Sequence, residues 1–598
     1  MKSIKSKILL KLTLVVFISL SVAVSCSEDE FLDVPRTDQL SPDNFPNKPE
    51  DLDLMLIDLY GRLRNTLFNG DRYARFGTLM SHEADQAYIG AEFNFHAKNS
   101  LIASNGDVAA LWNGYYENIA KCNAFLGAVE NFRVKFPDAQ PSEVKALEIR
   151  EGQARFLRAL NYFQAEAFFG ETFIVNAGDE SKMGIPLNTE VASSIEEASQ
   201  PRATVGQVWD FVIEDLKKAE VLLAGVTWSG DDRARVSIWA VKALLGKTYL
   251  FTRKYAEAST KLKEVIDNSG KTLVSYDFLK NMYNGFDGYE FSNETLFELN
   301  YNSSSQGEWS AVQQTSTFMG IVLSPVFMND GRGYDKNGFG NLYVHDKSVK
   351  RFGYNYADVI DENVLREDGK WKDDAFVKAE LKDYLDNAAA IRTDKSVDPR
   401  LFISALQPYA DSIKTSSTNR PIVKNQGEGV NLTANYTWSI RKYVILDRYV
   451  WASPYQDHNM VILRLADVYL MYAEALMGSG GDGVTALEYL NKVKRRAYGY
   501  AVDVSSPIDY ATLSSPTKAT DPVLANNPLR YERFTELFME GHWWFDVARW
   551  KIGSQESDYY EKVGSGELNW EDRAYAVPIP EAEMVSNSKL KGQQNPGY

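Results

Sequence analysis

The strongest constraint on what this chain can fold into is a spacing. Between Ser237 and Asn268 the string Leu245-Gly246-x-x-Tyr249 is followed by Ala258 and Leu262. Apolar residues three and four apart share one face of a helix, so the segment reads as two amphipathic helices. Small residues at Gly246 and Ala258 let two antiparallel backbones approach closely, while Tyr249 fills the gap between turns. Ser237 supplies the side-chain acceptor that starts the first helix. A lone pair of this kind leaves an apolar face uncovered, so it needs neighbours built the same way.

Such neighbours recur along the chain. Leu52, Met55, Leu56, Leu59 and Leu63 form one stripe, and Leu111, Tyr115, Ile119, Cys122, Leu126 and Val129 another. A third runs from Ser142 to Phe169. A fourth, capped by Thr204, carries Val205, Val208, Val212, Leu216 and Leu223. Ala486, Leu490 and Val493 repeat the second-helix pattern in a looser copy at 459–494. The spacing at 237–268 resembles the tetratricopeptide helix pair, with Lys242 where that repeat usually has Trp. The expectation is a mainly α fold, with tetratricopeptide-like helix pairs forming a scaffold from 50–267 and 458–550. A large loop-rich insert, 268–457, interrupts it. That insert is rich in Gly, Asn, Tyr, Phe and Trp and poor in helical period, and an ordered insert of this size generally carries function. One short helix is expected within it, around Asp373 to Ala390. A tail, 551–598, closes the chain.

The N-terminus reads as an address. Lys2, Lys5, Lys7 and Lys11 precede an apolar run from Leu12 to Val24, too short to span a bilayer stably. Ser25-Cys26 follows, which resembles a bacterial lipobox. The resemblance implies a signal peptide at 1–25, cleavage before Cys26 and acylation of Cys26. The acidic run Ser27-Glu28-Asp29-Glu30 looks like an export tag for the outer face of an outer membrane, and 27–49 reads as an extended strap. Removing four lysines takes the formal charge from −16 to −20. No cluster of Lys and Arg relieves that acidity, which excludes nucleic acid as a partner.

Motifs for catalysis are sought without success. No G-x-S-x-G elbow and no H-E-x-x-H occurs. His542 and Asp546 are four apart but flanked by Trp543, Trp544 and Phe545, so they read as packed residues rather than metal ligands. Gly478 to Gly483 spells G-x-G-x-x-G but follows a helix, which makes it an interhelical turn. Asp335-x-Asn337-Gly338 lacks the remaining oxygens of a calcium loop. No metal site and no cofactor is assigned, with a structural Ca²⁺ left unlocated. Two cysteines, Cys26 and Cys122, cannot make a disulfide framework, and Cys122 reads as a buried free thiol. Aromatics at 13%, with 33 Tyr and 12 Trp, favour a surface that stacks on a ligand.

The C-terminal third carries recognisable text. Arg464-x-Ala466-Asp467-x-x-Leu470-x-x-Ala473-Glu474-Ala475 and Leu490-Asn491-x-Val493-x-x-Arg496-Ala497 are followed by Glu532-Arg533-x-x-Glu536-Leu537-x-x-Glu540-Gly541. Then comes Trp544-Phe545-Asp546-Val547-x-Arg549-Trp550. With Ala154-x-Phe156-Leu157-Arg158-Ala159-x-x-Tyr162-Phe163, and Pro578-Ile579-Pro580 near the terminus, these strings resemble the SusD-like (RagB/SusD) family across 26–598 as one domain. Trp543 stands where the family usually has Arg. The charged strings read as ion pairs and caps that fix helix packing.

The resemblance implies a lipid-anchored outer-membrane protein that binds glycans without catalysis and passes them to a SusC-like TonB-dependent barrel. Peptide capture for the same kind of barrel is the alternative, a surface endoglycosidase or a plain adhesin the rivals. An endoglycosidase needs two carboxylates about 5–10 Å apart in a cleft. Family sites draw on the loop after the second helical segment and on the start of the insert. By region these are Asp85, Tyr88, Phe93 and Phe95, then Tyr301, Trp309 and Arg332.

Overall fold

Each apolar stripe becomes a helix, and the helices stack in chain order. The structure is a computed structural model. It describes residues 46–598 apart from 47, 69, 89, 287, 302–318, 330, 357–359, 416–417, 427–435, 448–457 and 561–569. Calls on Cys26 and Trp309 therefore lie outside the described residues. The scaffold helices are α1 Asp51–Arg62, α2 Gly106–Lys135, α3 Pro141–Phe169, α4 Val205–Leu222, α5 Ile238–Phe251, α6 Tyr255–Asn268, α7 Leu465–Gly478 and α8 Gly483–Ala497. Every one packs against the next, α6 reaching α7 across the whole insert. None of the described helices is long and apolar enough to cross a membrane.

Local chemistry sets the ends and the approach distances. Thr204 Oγ1 accepts from Gln207 N while the Gln207 side chain accepts from Thr204 N, a reciprocal cap on α4. Ser237 Oγ accepts from Ala240 N at the start of α5. The glycine-rich run ends at Asp482, whose carboxylate accepts from Val484 N and Thr485 N and so opens α8. A Cβ at Gly246 would meet Leu262 Cδ2 at 2.6 Å, so only glycine lets α5 and α6 close up.

Two further helices, α9 Pro528–Glu536 and α10 Trp543–Trp550, lie against the stack and carry its buried charges. Arg464 reaches Glu294 at 2.8 Å and both Glu536 and Glu540 at 2.7 Å. Arg533 reaches Asp467 at 3.0 Å and Asp546 at 2.6 Å, while Arg400 joins Asp398 and Glu532, each at 2.6 Å. All of these side chains are sealed from solvent. Buried charge is tolerated only with such partners. Trp543 Nε1 donates to Glu556 at 3.0 Å, and Glu556 is also gripped by Arg351 from the insert. A guanidinium is thus present next to the position where the family's usual Arg is replaced. His542 Nδ1 lies 3.2 Å from Lys247 Nζ, and Asp546 is held by Arg533 and Arg549. Cys122 is buried and free, its thiol pushed up to about 12 by burial.

The insert has more regular structure than its missing helical period suggests. Its base is a ladder of β2 Thr295–Leu299 against β6 Met460–Arg464; within it β3 Val326–Met328 pairs with β4 Tyr334–Lys336. Strand β5 Leu342–Val344 leaves the insert to pair with β1 Ala84–Gln86. Such strands are too short to show a two-residue period in sequence. The single short helix expected near 373–390 is two, Asp374–Glu380 and Lys382–Asp394. A small core of its own, including Val326, Trp371, Leu381 and Tyr409, holds this part together.

Candidate functional site

The stretch 82–101 opens with His82 in a left-handed conformation, φ 60°. Strand β1 follows, then a turn, then the helix Ala91–Ala97. The turn exposes Tyr88. Gly90 leaves room for that ring, since a Cβ there would meet Tyr88 Cε1 at 2.4 Å and turn it aside. The Tyr88 ring meets Phe93 edge-on at 5.9 Å. Phe93 itself is buried, with the Arg75 guanidinium 5.4 Å from its ring centre. Phe95 is half-buried against the main core.

Asp85 lies in β1 opposite Tyr343 of β5. It is 5% exposed, and its carboxylate accepts from Tyr343 Oη at 2.9 Å and from Gln86 N at 2.8 Å. Burial pushes its pKa up to about 6, against the pull of those two donors. Its neighbour Glu83 goes further, to about 8, for the same reason. Neither forms an ion pair among the described residues.

Backbone bonds tie this stretch to the insert. Ala87 N donates to Asn341 O at 2.6 Å, and Val344 N donates to Trp438 O at 2.8 Å. Trp438 belongs to an aromatic nest. Tyr354 lies 4.9 Å from it, 5.2 Å from Tyr436 and 5.2 Å from Tyr356. Tyr436 Oη donates to Tyr356 O at 2.8 Å. The result is a band from Tyr88 through β1 and β5 to Tyr356; β4 with its Tyr334 precedes β5 in the chain. Among the described residues the large aromatics more than a third exposed are Tyr88 at 47%, Tyr334 at 45%, Tyr500 at 41% and Tyr356 at 39%. Tyr88 and Tyr356 stand on this band, and Tyr334 on β4. Tyr500 follows α8, beneath the Lys395 ammonium at 5.4 Å.

The expected residues divide accordingly. Tyr88 is on the surface, while Asp85 and Phe93 lie beneath it. Tyr301 is 5% exposed: its hydroxyl donates to Phe68 O at 2.7 Å and Arg64 sits 5.0 Å from its ring. Arg332 occupies the β3–β4 turn at φ 65°, where it donates to Trp371 O at 3.2 Å and pairs with Asp374 at 2.6 Å. Region-based reading did not single out Tyr334 and Tyr356. Their signals were local: Tyr334 ends the glycine-rich turn Gly331-Arg332-Gly333, and Tyr356 lies in Tyr354-Asn355-Tyr356. Asp335 and Asn337, read as a turn, are used internally: Asp335 accepts from Lys336 N and Asn337 donates to Ile445 O.

A stack of helix pairs with buried ion pairs, bearing exposed tyrosines on the segments inserted between its helices, defines the class of protein. The model of the SusD family matches residues 293–598, and a model described as "Starch-binding associating with outer membrane" matches 30–250. The chain belongs to the SusD family. A SusD-like protein of Formosa agariphila is 23% identical over 96% of this chain and 97% of its own length. A SusD-like protein of Bacteroides ovatus is 22% identical over 91% and 83%. Among solved structures, a SusD-like protein from Bacteroides fragilis superposes with a TM-score of 0.65 at 20% identity, covering 92% of this chain and 97% of that one. A structure named as a laminarin-binding SusD-like protein gives 0.61 at 21%, covering 92% and 100%. Surface glycan-binding protein A from Bacteroides fluxus gives 0.63 at 19%, with the same coverage. These likenesses establish the fold.

Proposed function

We propose that this protein captures glycan at the outer surface of the outer membrane and delivers it to a SusC-like TonB-dependent barrel, with no bond made or broken. The observation that carries this reading is the exposure of Tyr88 and Tyr356 at the two ends of a band braced by β1 and β5, with Tyr334 exposed on β4. Aromatic faces stack on the C–H faces of sugar rings, and neighbouring amides and charged groups bond the hydroxyls. Trp309, in the polar segment of the insert, belongs to the same proposal, with Asp85 beneath Tyr88 as a supporting group. The relatives named as laminarin-binding and surface glycan-binding support the choice of glycan over peptide, as does the family description that speaks of starch and the outer membrane. Acylation of Cys26 would hold the chain at that membrane as a single domain, 26–598.

Affinity electrophoresis against a panel of plant, algal and host polysaccharides tests the reading. Wild-type chain is expected to be retarded by at least one polysaccharide, and Tyr88→Ala to be retarded less. Chromatography of the recovered polysaccharide should show no shortened products. Retardation by none of the panel, or release of oligosaccharides, would sink it.

A further inference from the structure

We propose that a second sugar-binding groove lies on the scaffold, between α1, the α4–α5 connection and β2, away from the aromatic band. The inference rests on the glycan reading above and adds a site to it. Two hollows of about 270 and 260 Å³ share Ala234, Arg235 and Glu298, which makes them lobes of one groove. Each falls just short of the roughly 300–1,000 Å³ of ordinary small-molecule sites, and together they fall within it.

One lobe is walled by aromatics. Trp228, Trp239 and Phe291 line it beside Lys271. The Trp228 indole is fixed by its Nε1–H, which donates to Val236 O at 2.9 Å. Phe291 is held at φ 49°, a left-handed conformation that residues with side chains avoid and that recurs at ligand clamps. The other lobe is walled by Tyr60 and Arg64 of α1 and closed by Asn300.

The floor supplies the polar argument. Glu298 borders both lobes and is 5% exposed. Its Oε2 accepts from Asn459 Nδ2 at 3.0 Å, but its Oε1 is buried with no hydrogen-bond partner. The Nε of Arg64, in the second lobe, is also buried and unpartnered. A buried polar atom left without a partner is unfavourable until something supplies one. A sugar chain in the groove lays its ring carbons against the indoles and meets polar partners for its hydroxyls along the lining at Asp231, Asp232, Lys271 and Asn300, above the Glu298 carboxylate. Four basic residues, Arg64, Arg233, Arg235 and Lys271, stand against the acidic Asp231, Asp232 and Glu298. That near-balance favours a neutral hexose chain over a uronate or sulfated one.

A long polysaccharide that engages both the groove and the band gains avidity, by factors on the order of 10²–10⁴ when two sites are linked. Hydrogen exchange of the full chain, with laminarin and soluble starch as neutral probes and alginate as the anionic one, reads the two sites separately. Slower exchange over 226–239 and 291–300 with a neutral glucan is the expected result. Glu298→Gln and Trp239→Ala should each weaken retention of the long polymer about tenfold or more, while a trisaccharide still protects the Tyr88 band. A thermal midpoint for each variant confirms folding, and the wild-type footprint needs no variant. Protection of the band alone, or protection of 226–239 and 291–300 by alginate alone, overturns the groove and leaves the glycan reading standing. No protection anywhere overturns both.

Discussion

Two buried groups of carboxylates in this molecule are treated in opposite ways. Around α7 to α10 every acid meets a guanidinium. Burial raises the Glu536 carboxyl, but Arg496, Arg464 and Arg400 outweigh it and bring it down to about 2. Asp85, beneath Tyr88, and Glu83, against the Met539 backbone between α9 and α10, are equally buried but accept from hydroxyl and amide donors with no guanidinium, so burial wins and they rise to about 6 and 8. The ion-pair network of α7 to α10 compensates its charges, while the buried acids of the 82–101 stretch are held by neutral donors alone. The loudest motifs are therefore structural, while the candidate site is built from residues that form no motif.

The largest effect should come from breaking the compensated side. Arg464→Ala leaves Glu294, Glu536 and Glu540 short of a partner. Removing one member of a buried pair costs about 3–5 kcal/mol, so urea unfolding should show a loss of at least that size or no soluble protein at all. A loss under about 1 kcal/mol would mean that the network holds nothing together.

Opposite pH slopes sharpen the contrast. Glu536 has a folded pKa below its unfolded value of about 4.3, so its contribution is present above that value and lost as pH falls toward 2. Asp85 has a folded pKa above its unfolded value of about 3.9. The folded chain keeps a proton there that the unfolded chain has lost, and stability falls as pH rises from about 4 to 6. Asp85→Asn should remove that slope and raise stability at pH 7 by about 1 kcal/mol or more. Thermal midpoints across pH 3–8 in both variants check the signs; a Glu536→Gln chain that keeps the acid limb would break the assignment.

Smaller effects belong to the band. Gly90→Ala forces the Tyr88 ring aside and should weaken polysaccharide retention while stability shifts by less than about 1 kcal/mol. Tyr88→Ala should cost about 0.5–1.5 kcal/mol of binding by calorimetry and leave the urea midpoint within about 0.5 kcal/mol. A variant that unfolds instead would place Tyr88 with the scaffold.

Helix pairs were legible because their signals are local and repeated. Gly246, Thr204 and Ser237 each announced a contact or cap that the coordinates contain. The ion pairs were legible in kind, from Arg464 to Arg549, but their partners were not: Glu294 and Arg351 come from the insert, far away in sequence. The region 82–101 is joined to the insert by β1 against β5, a pairing of strands too short to show in sequence, and which of its side chains reach solvent was hidden with it. Asp85 and Tyr301 are polar or amphipathic and still buried, because β1 pairs with β5 and Tyr301 finds Phe68 O. Trp239 was hidden for the converse reason, since it lies on a helix stripe and looks like core yet lines the groove, while Glu298, like Asp85, is acidic and still buried.

The ladder between β2 and β6 has an evolutionary reach beyond its hydrogen bonds. The chain departs and returns through two adjacent strands, about 5 Å apart. Everything between them is one excursion, docked back on the stack by β5 on β1 and by Arg351 and Arg400 on Glu556 and Glu532. Lengthening a flexible excursion of this kind costs only about 0.6 kcal/mol per doubling. Descendants of this chain can thus vary the outer turns of the excursion, such as the one between β3 and β4, as long as Glu294, Arg351 and Arg400 stay to complete the buried ion pairs of the scaffold.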